Sequence, residues 1–173
     1  MSRYPELAAK VDAFFTRVME RHRGDMRCDS GCSHCCHVRL TISEVEAQAI
    51  HEAVSTWPSD RADTLRNNVA SGPTDRCAAL DSGGRCLIYE VRPIVCRSHG
   101  APIRMRDARS LPVVEACRDN FRAAGPGAAD ADCILDQQTL SAMVLAVDRD
   151  AGYDGSTRRD LAEVLASVLD TAP

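Results

Sequence analysis

The sequence predicts a mainly α-helical fold. We expect a small helical domain whose irregular, cysteine-rich middle segment is held together by metal and contains at most short strands. Two observations predict this fold class. Apolar residues recur at helical spacing near both ends of the chain. Eight of the nine cysteines lie between residues 28 and 117, where such periodicity is weak. At 173 residues the chain has the length of one ordinary domain, so we predict a single domain over 1–173.

The two ends of the chain carry the clearest helical patterns. An N-terminal helix is predicted over 5–22, where Leu7 and Val11 begin an apolar face. A C-terminal helical hairpin is predicted over about 136–170, and Val144 lies on the apolar face of its first helix. Both ends are therefore expected to supply apolar surface for a core.

Two further helices are predicted after the first cysteines. A short extended piece over 38–42 precedes Ser43, which is a suitable N-cap residue because Glu46 follows three residues later, as in a capping box. The helix that starts there is expected to end near Ser55. A shorter and more polar helix is predicted over 60–70.

The cysteine-rich region, 28–121, is predicted to be irregular. Only short strand-like pieces such as 87–89 are expected within it. Ordering a backbone costs roughly 1–2 kcal/mol per residue, and this region offers little apolar burial in return. Because structural zinc contributes roughly 10–16 kcal/mol in small peptides, metal–thiolate bonds are the predicted source of order.

Composition and charge restrict the function. The net charge of −4 and the aromatic share of 4% argue against nucleic-acid binding. The N-terminus has neither the charged start nor the apolar run of a secretory signal, and no run approaches the roughly 20 apolar residues that cross a bilayer. We therefore expect a cytoplasmic protein without a membrane partner. In that reducing compartment, cysteines are expected to be metal ligands or redox thiols rather than disulfides.

The cysteines fall into two sets. Four are closely spaced and four are distant, which suits either two four-thiolate centres or one cluster with outlying ligands. The predicted ligands are Cys28, Cys32, Cys35, Cys36, Cys77, Cys86, Cys96 and Cys117. The adjacent pair is expected to serve different centres, or to supply one ligand only, because neighbouring side chains of an extended chain point to opposite sides. Cys133 stands apart beside apolar residues and is interpreted as a core residue.

The sequence has five histidines, which are candidates for further ligands. His34, His37 and His99 lie close to cysteines and are interpreted mainly as groups that flank or orient the thiolates, with direct binding as the alternative. His22 and His51 lie in predicted helices and are interpreted as ordinary surface residues.

These motifs resemble a known family. The spacing C-x3-C-x2-C-C over 28–36 and the run GRCLIYEVRPIVCR over 84–97 are similar to the bacterial CxxCxxCC proteins, also called the YkgJ-type cysteine cluster or zinc- or iron-chelating domain. The runs SHGAP over 98–102 and CRDNF over 117–121 extend the resemblance. It implies metal binding through eight cysteines and leaves Cys133 outside. The first gap is three residues here rather than two.

Other residues of the shared motifs have a physical interpretation. Tyr89 is expected to pack its ring against the cluster while its hydroxyl finds a polar partner. Pro93 fixes the backbone before Cys96. Arg92 and Arg97 are expected to offset the surplus negative charge that four thiolates place on a divalent ion.

The spacing leaves zinc and an iron–sulfur cluster as alternative cofactors. Zinc takes four thiolate or imidazole ligands in a closed structural site. Iron–sulfur clusters also take four cysteines, often three from one short run, as Cys28, Cys32 and Cys35 would be, with Cys86 or Cys96 as the distant ligand. Membership of the radical S-adenosylmethionine enzymes, which share the first spacing, is rejected because alternating strands and helices are absent from the sequence pattern.

Three functions follow from the sequence. The favoured one is a metal- or cluster-binding protein with a structural, storage or sensing role. The second is an iron–sulfur-dependent oxidoreductase or protein-modifying enzyme, which would need an open ligand position or a nearby acid–base group such as His99. The third is a zinc-organised interaction module. No substrate, reaction or protein partner is indicated.

Overall fold

The computed structural model describes residues 3–29, 31–72 and 75–170. In these ranges helices predominate and strands are short, which confirms the predicted fold class. The helices are α1 Tyr4–Arg21, α2 Glu44–Val54, α3 Ser59–Ala70, α4 Ile94–Ser98, α5 Gln137–Asp150 and α6 Leu161–Asp170. The strands are β1 Thr41–Ile42, β2 Ile103–Arg106, β3 Pro112–Glu115, β4 Leu135–Asp136 and β5 Arg159–Asp160. No helix among the described residues has the length and apolar character to span a membrane.

The chain divides into two compact units, each built from two segments. The first unit comprises 1–28 and 94–147, and the second comprises 29–93 and 148–173. The single domain inferred from chain length stays a prediction, as does the pairing of the last two helices into a hairpin.

The first unit is organised by α1, which packs against α4. A three-stranded sheet in the order β3-β2-β4 completes it, with β2 antiparallel to β3 and parallel to β4. The core of this unit comprises Phe14, Val18, Met26, Ala101, Phe121, Ala129 and Cys133. Cys133 is 0% exposed, which confirms its interpretation as a core residue.

In the second unit, α2 and α3 pack against α6, and β1 pairs with β5 in antiparallel register. The start of α2 agrees with the prediction, because the Ser43 N–H donates to the Glu46 carboxylate at 2.7 Å. The Val45 N–H donates to the buried Asp148 Oδ1 at 2.9 Å, which satisfies another free amide of that helix end. The largest fully buried side chains of this unit include Ile42, Ile50, Val54, Leu65, Ile88 and Leu165.

The predicted strand-like piece over 87–89 is wrong. Leu80 and Cys86 form an isolated β-bridge, but a short 3₁₀ helix, Tyr89–Val91, follows. The Tyr89 N–H bonds to the Cys86 carbonyl at 3.3 Å, and the Val91 N–H bonds to the Ile88 carbonyl at 3.0 Å. These local bonds use the donors that a ladder would need. The hairpin β2–β3 and the helix α4 were not predicted.

We expect Leu65→Ala to lower the free energy of unfolding by about 2–5 kcal/mol, because truncation of a fully buried leucine removes apolar contacts and leaves a cavity. Leu65 is 0% exposed. The matched control is Leu111→Ala at a 56% exposed position, where a change within about 0.5 kcal/mol is expected. Urea unfolding followed by circular dichroism measures both. Equal effects would contradict the core assignment.

Candidate metal centre

Four of the predicted ligands interact with one another in the second unit. Cys35 and Cys36 lie in a 3₁₀ helix, His34–His37, and their thiols are joined by a hydrogen bond. The Cys36 thiol also interacts electrostatically with those of Cys77 and Cys86. All four are half-buried. We refer to these four residues as the thiol cluster.

The adjacent pair does not behave as the sequence predicted. The expectation that Cys35 and Cys36 point to opposite sides assumed an extended chain. A 3₁₀ helix turns by about a third of a circle per residue, so neighbouring side chains can approach each other. Both thiols of the pair are therefore neighbours. That they serve different centres, or that only one of them is a ligand, stays a prediction.

Backbone hydrogen bonds hold the loops that carry the cluster. The Cys77 N–H donates to the Cys36 carbonyl at 2.7 Å, which ties the second loop to the 3₁₀ helix. The Asp81 N–H donates to the Arg85 carbonyl at 2.8 Å and closes the turn before Cys86. Main-chain hydrogen bonds thus hold the loops from which these thiols project.

A close approach of two loops requires glycine at position 84. Gly84 has a φ of +75°, and a Cβ there would lie 3.3 Å from the Gly31 carbonyl oxygen. Both residues belong to the second unit. The absence of a side chain lets the turn at 81–85 lie directly against the loop that leads into the thiol cluster.

When no cation is bound, the protonated form of the thiols in the cluster is favoured over the thiolate form. The hydrogen bond to Cys35, together with burial, raises the pKa of Cys36 far above its ordinary value. Burial raises the pKa of Cys77 and raises the pKa of Cys86 to about 11. In each case charged thiolates are disfavoured by loss of water and by one another. A divalent cation supplies the charge that would let them ionise together.

Other groups favour thiolates at two of these positions. Backbone N–H groups of Ala79 and Ile88 bond to the sulfur atoms of Cys77 and Cys86 and act to lower their pKa values. The positive charge of Arg92 acts in the same direction on the pKa of Cys86. Such donors stabilise a thiolate ligand from outside the first coordination shell.

The first unit places Cys28 against the buried side chain of Asn120. The Asn120 Nδ2 donates to the Cys28 Sγ at 3.2 Å and to the Gly100 carbonyl at 2.7 Å. The Arg27 N–H donates to the Asn120 Oδ1 at 2.7 Å, so both ends of the amide are used. Asn120 is 4% exposed. The sequence placed it in a shared motif, CRDNF, without indicating this role.

Gly100 forms the other wall of the Cys28 site. It has a φ of +98°, and a Cβ there would lie 2.5 Å from the Cys28 Sγ. The Asn120 N–H donates to the Cys117 carbonyl at 2.8 Å, so the segment that carries Cys117 also carries the amide that contacts Cys28. Cys96 belongs to α4 in the same unit.

The remaining predicted ligand and the flanking histidines are exposed. Cys32 is exposed in the second unit, as are His34 and His37, and His99 is exposed in the first. The His37 Nδ1 lies 2.9 Å from the Asp75 carbonyl oxygen. A neutral ring that donates from Nδ1 there keeps the Nε2 lone pair, as metal-bound histidines commonly do.

Two expectations about the flanking residues change. The Tyr89 ring was expected to pack against the cluster, but it is 59% exposed and lies beneath the Arg92 guanidinium, 3.8 Å from the ring centroid. Exposure leaves the hydroxyl to water, so no buried partner is needed. The Arg97 Nη1 lies 2.5 Å from an Asp12 carboxylate oxygen, so a carboxylate balances this buried charge.

Comparison with family models identifies the cysteine-rich region. The CxxCxxCC model, described as "Putative zinc- or iron-chelating domain", matches residues 27–124. The chain belongs to the CxxCxxCC family. The eight predicted ligands all lie in the matched region, and Cys133 lies outside it. Comparison with curated proteins and with solved structures finds no match.

Membership of the CxxCxxCC family confirms the resemblance inferred from the motifs at 28–36 and 84–97. The family description supports metal chelation by this chain and names zinc and iron as the candidate metals. It assigns no reaction.

We expect Gly100→Ala to destabilise the protein by about 1–3 kcal/mol more than Gly152→Ala. Both positions have a strongly positive φ, +98° and +92°, but no atom lies within 4 Å of a Cβ at Gly152. The difference therefore isolates the clash with Cys28. Urea unfolding measures the two variants. Equal destabilisation would show that the space beside Cys28 imposes no constraint.

We expect the free energy of unfolding of the metal-free, reduced protein to fall as pH rises from about 9 to about 11. The folded-state pKa of Cys86, about 11, exceeds the ordinary value of 9.0, so the folded state holds the proton more tightly in this window. The resulting stability is complete below the lower value and is lost as pH passes the upper one. Urea unfolding at several pH values tests this, and Cys86→Ser should show a shallower fall. A steeper or unchanged fall in Cys86→Ser would contradict the assignment.

Proposed function

We propose that this protein binds metal through its cysteine thiolates and that the thiol cluster holds a zinc ion in a structural role. The observation that carries the proposal is the hydrogen bond between the thiols of Cys35 and Cys36, together with the electrostatic interaction of the Cys36 thiol with those of Cys77 and Cys86. Four further cysteines are proposed as metal ligands outside the thiol cluster: Cys28, Cys32, Cys96 and Cys117.

The short separation of two thiols favours a mononuclear tetrahedral ion. With Zn–S bonds of about 2.3 Å, adjacent sulfur atoms of a tetrahedron lie about 3.8 Å apart, which is close to the contact that a thiol–thiol hydrogen bond requires. In a cluster of four irons each cysteine binds a different iron, so its sulfur atoms lie farther apart. A two-iron cluster, in which two cysteines share one iron, is the iron alternative.

Charge balance supports the same proposal. Four thiolates around a dication leave a net charge of −2. The guanidinium of Arg92 and the N–H groups of Ala79 and Ile88 act on two of the sulfur atoms in the direction that favours negative charge. A metal bound there would add to the order that the buried Ala79 and Ile88 already give to the segments around Cys77 and Cys86.

The metal content of the protein tests the proposal. The full chain is purified anaerobically, and zinc, iron and acid-labile sulfide are measured together with the visible spectrum. A colourless protein with stoichiometric zinc is expected. A brown protein that contains iron and sulfide would show that an iron–sulfur cluster is bound instead of zinc. A folded protein with neither metal would overturn the proposal.

We expect Cys77→Ser to lose about one equivalent of metal and to unfold the second unit at lower urea concentration, because the loss of one thiolate opens a closed four-ligand site. The control is Val38→Ala, at a position directly after the 3₁₀ helix that is 57% exposed; it should retain the metal and the stability. Metal analysis and urea unfolding measure both. Full metal content in Cys77→Ser would remove Cys77 from the ligands.

A further inference from the structure

A second group of metal-ligating side chains lies in the first unit. His22, Asp130 and Cys133 place an imidazole nitrogen, a carboxylate oxygen and a thiol sulfur within 4.8 Å of one another. All three residues lie outside 27–124, the region that the family model matches. This group therefore stands apart from the cysteines that define the family.

The backbone fixes two of the three side chains relative to each other. The Cys133 N–H donates to the Asp130 carbonyl at 2.8 Å, which closes the short 3₁₀ helix Ala131–Cys133. The carboxylate and the thiol are thus presented by a single turn. Cys133 is 0% exposed and belongs to the core of the first unit.

The third side chain comes from the end of α1. His22 is the C-cap residue of that helix, and its ring lies against Phe121 with the centroids 5.3 Å apart. The His22 Nε2 lies 3.7 Å from the Asp130 Oδ2. Since the imidazole side chain is 13% exposed and the carboxylate 55%, the group runs from the buried thiol to a solvent-facing carboxylate.

We propose that His22, Asp130 and Cys133 form a second metal site, which takes a single zinc-like divalent cation with water in the fourth position. Zinc bonds of about 2.0–2.1 Å to nitrogen and oxygen place those two atoms about 3.3 Å apart in a tetrahedron. The observed 3.7 Å needs only a few tenths of an ångström of movement. On binding, the Cys133 thiol releases its proton to solvent.

The charges of the group match a dication. One thiolate and one carboxylate neutralise the two positive charges, and neutral histidine adds none. The resulting neutral centre suits a half-buried position, where an uncompensated charge is costly. The group has one thiolate, one nitrogen and one oxygen as ligands, whereas iron–sulfur clusters take four cysteines. Mixed ligand sets of this kind are found in zinc sites.

Ion pairs around the group permit this change. The Arg21 Nη1 lies 3.4 Å from an Asp130 carboxylate oxygen and 2.8 Å from one of Asp132. When Asp130 turns to the cation, Arg21 keeps the closer of the two partners. The bond from the Asp130 N–H to the His22 Nε2 is long, at 3.3 Å, and the metal takes its place on that nitrogen.

Asp130→Asn and Asp132→Asn form a matched pair for the test. Both remove an exposed carboxylate that pairs with Arg21, but only Asp130 belongs to the proposed ligands. Zinc per chain is measured by mass spectrometry after anaerobic purification and dialysis with zinc. We expect Asp130→Asn to lose one equivalent relative to the wild type and Asp132→Asn to lose none. Equal zinc content in the wild type and both variants would overturn the proposal.

Cobalt(II) supplies a readout specific to the thiolate. Titration of the metal-free full chain should give a thiolate-to-cobalt charge-transfer band whose intensity falls in Cys133→Ser and in His22→Gln. Because Cys133 is a core residue, His22→Gln keeps the test decisive if Cys133→Ser fails to fold. Cys77→Ser should retain the equivalent at this second site, so failure of the thiol cluster and failure of this site are distinguishable. An unchanged band in His22→Gln would overturn the assignment of the imidazole.

Discussion

Thiolates held close together out of water repel one another, and this repulsion constrains the thiol cluster of the second unit. Cys36, Cys77 and Cys86 all have raised pKa values because burial and neighbouring thiols disfavour the charged form. The loops around them are joined by main-chain bonds, and Ala79 and Ile88, close to Cys77 and Cys86, are buried in the apolar core of the unit. Protons relieve the repulsion when no metal is bound, and a dication would relieve it while joining the loops. A metal bound at the proposed site would couple order and metal binding through the same sulfur atoms.

The predictable part of the fold is the part with strong periodicity. Features that depend on local spacing could be predicted from the sequence. They are the apolar faces of α1, α5 and α6 and the Ser43–Glu46 pair at the start of α2. The hairpin β2–β3 was missed because its strands are short, and most of their side chains are exposed or half-buried, so alternation is weak. The failure at 87–89 has a different cause, since local hydrogen bonds at Tyr89–Val91 prevailed over the strand preference of the side chains.

The sequence could nominate the cysteines of the candidate site but could not predict their arrangement. Spacing and family resemblance selected the eight cysteines, but the grouping of Cys35 and Cys36 with Cys77 depends on a 3₁₀ helix and on long-range bonds that no short motif encodes. The role of Asn120 depends on a contact across 92 residues of sequence. Likewise, no short motif relates His22 to the turn of Asp130 and Cys133, 108 residues away in sequence. Only folding brings the end of α1 to that turn.

The division of the chain into two units has a consequence for what can be studied as a fragment. The region that matches the family ends at residue 124, yet the core of the second unit includes Leu161, Val164, Leu165 and Val168 from α6. The first unit similarly draws Phe14 and Val18 from α1. A peptide cut to the family boundaries would carry all eight shared cysteines while leaving both cores open to solvent. The segments that the family model omits therefore supply apolar residues to the cores that surround the predicted ligands.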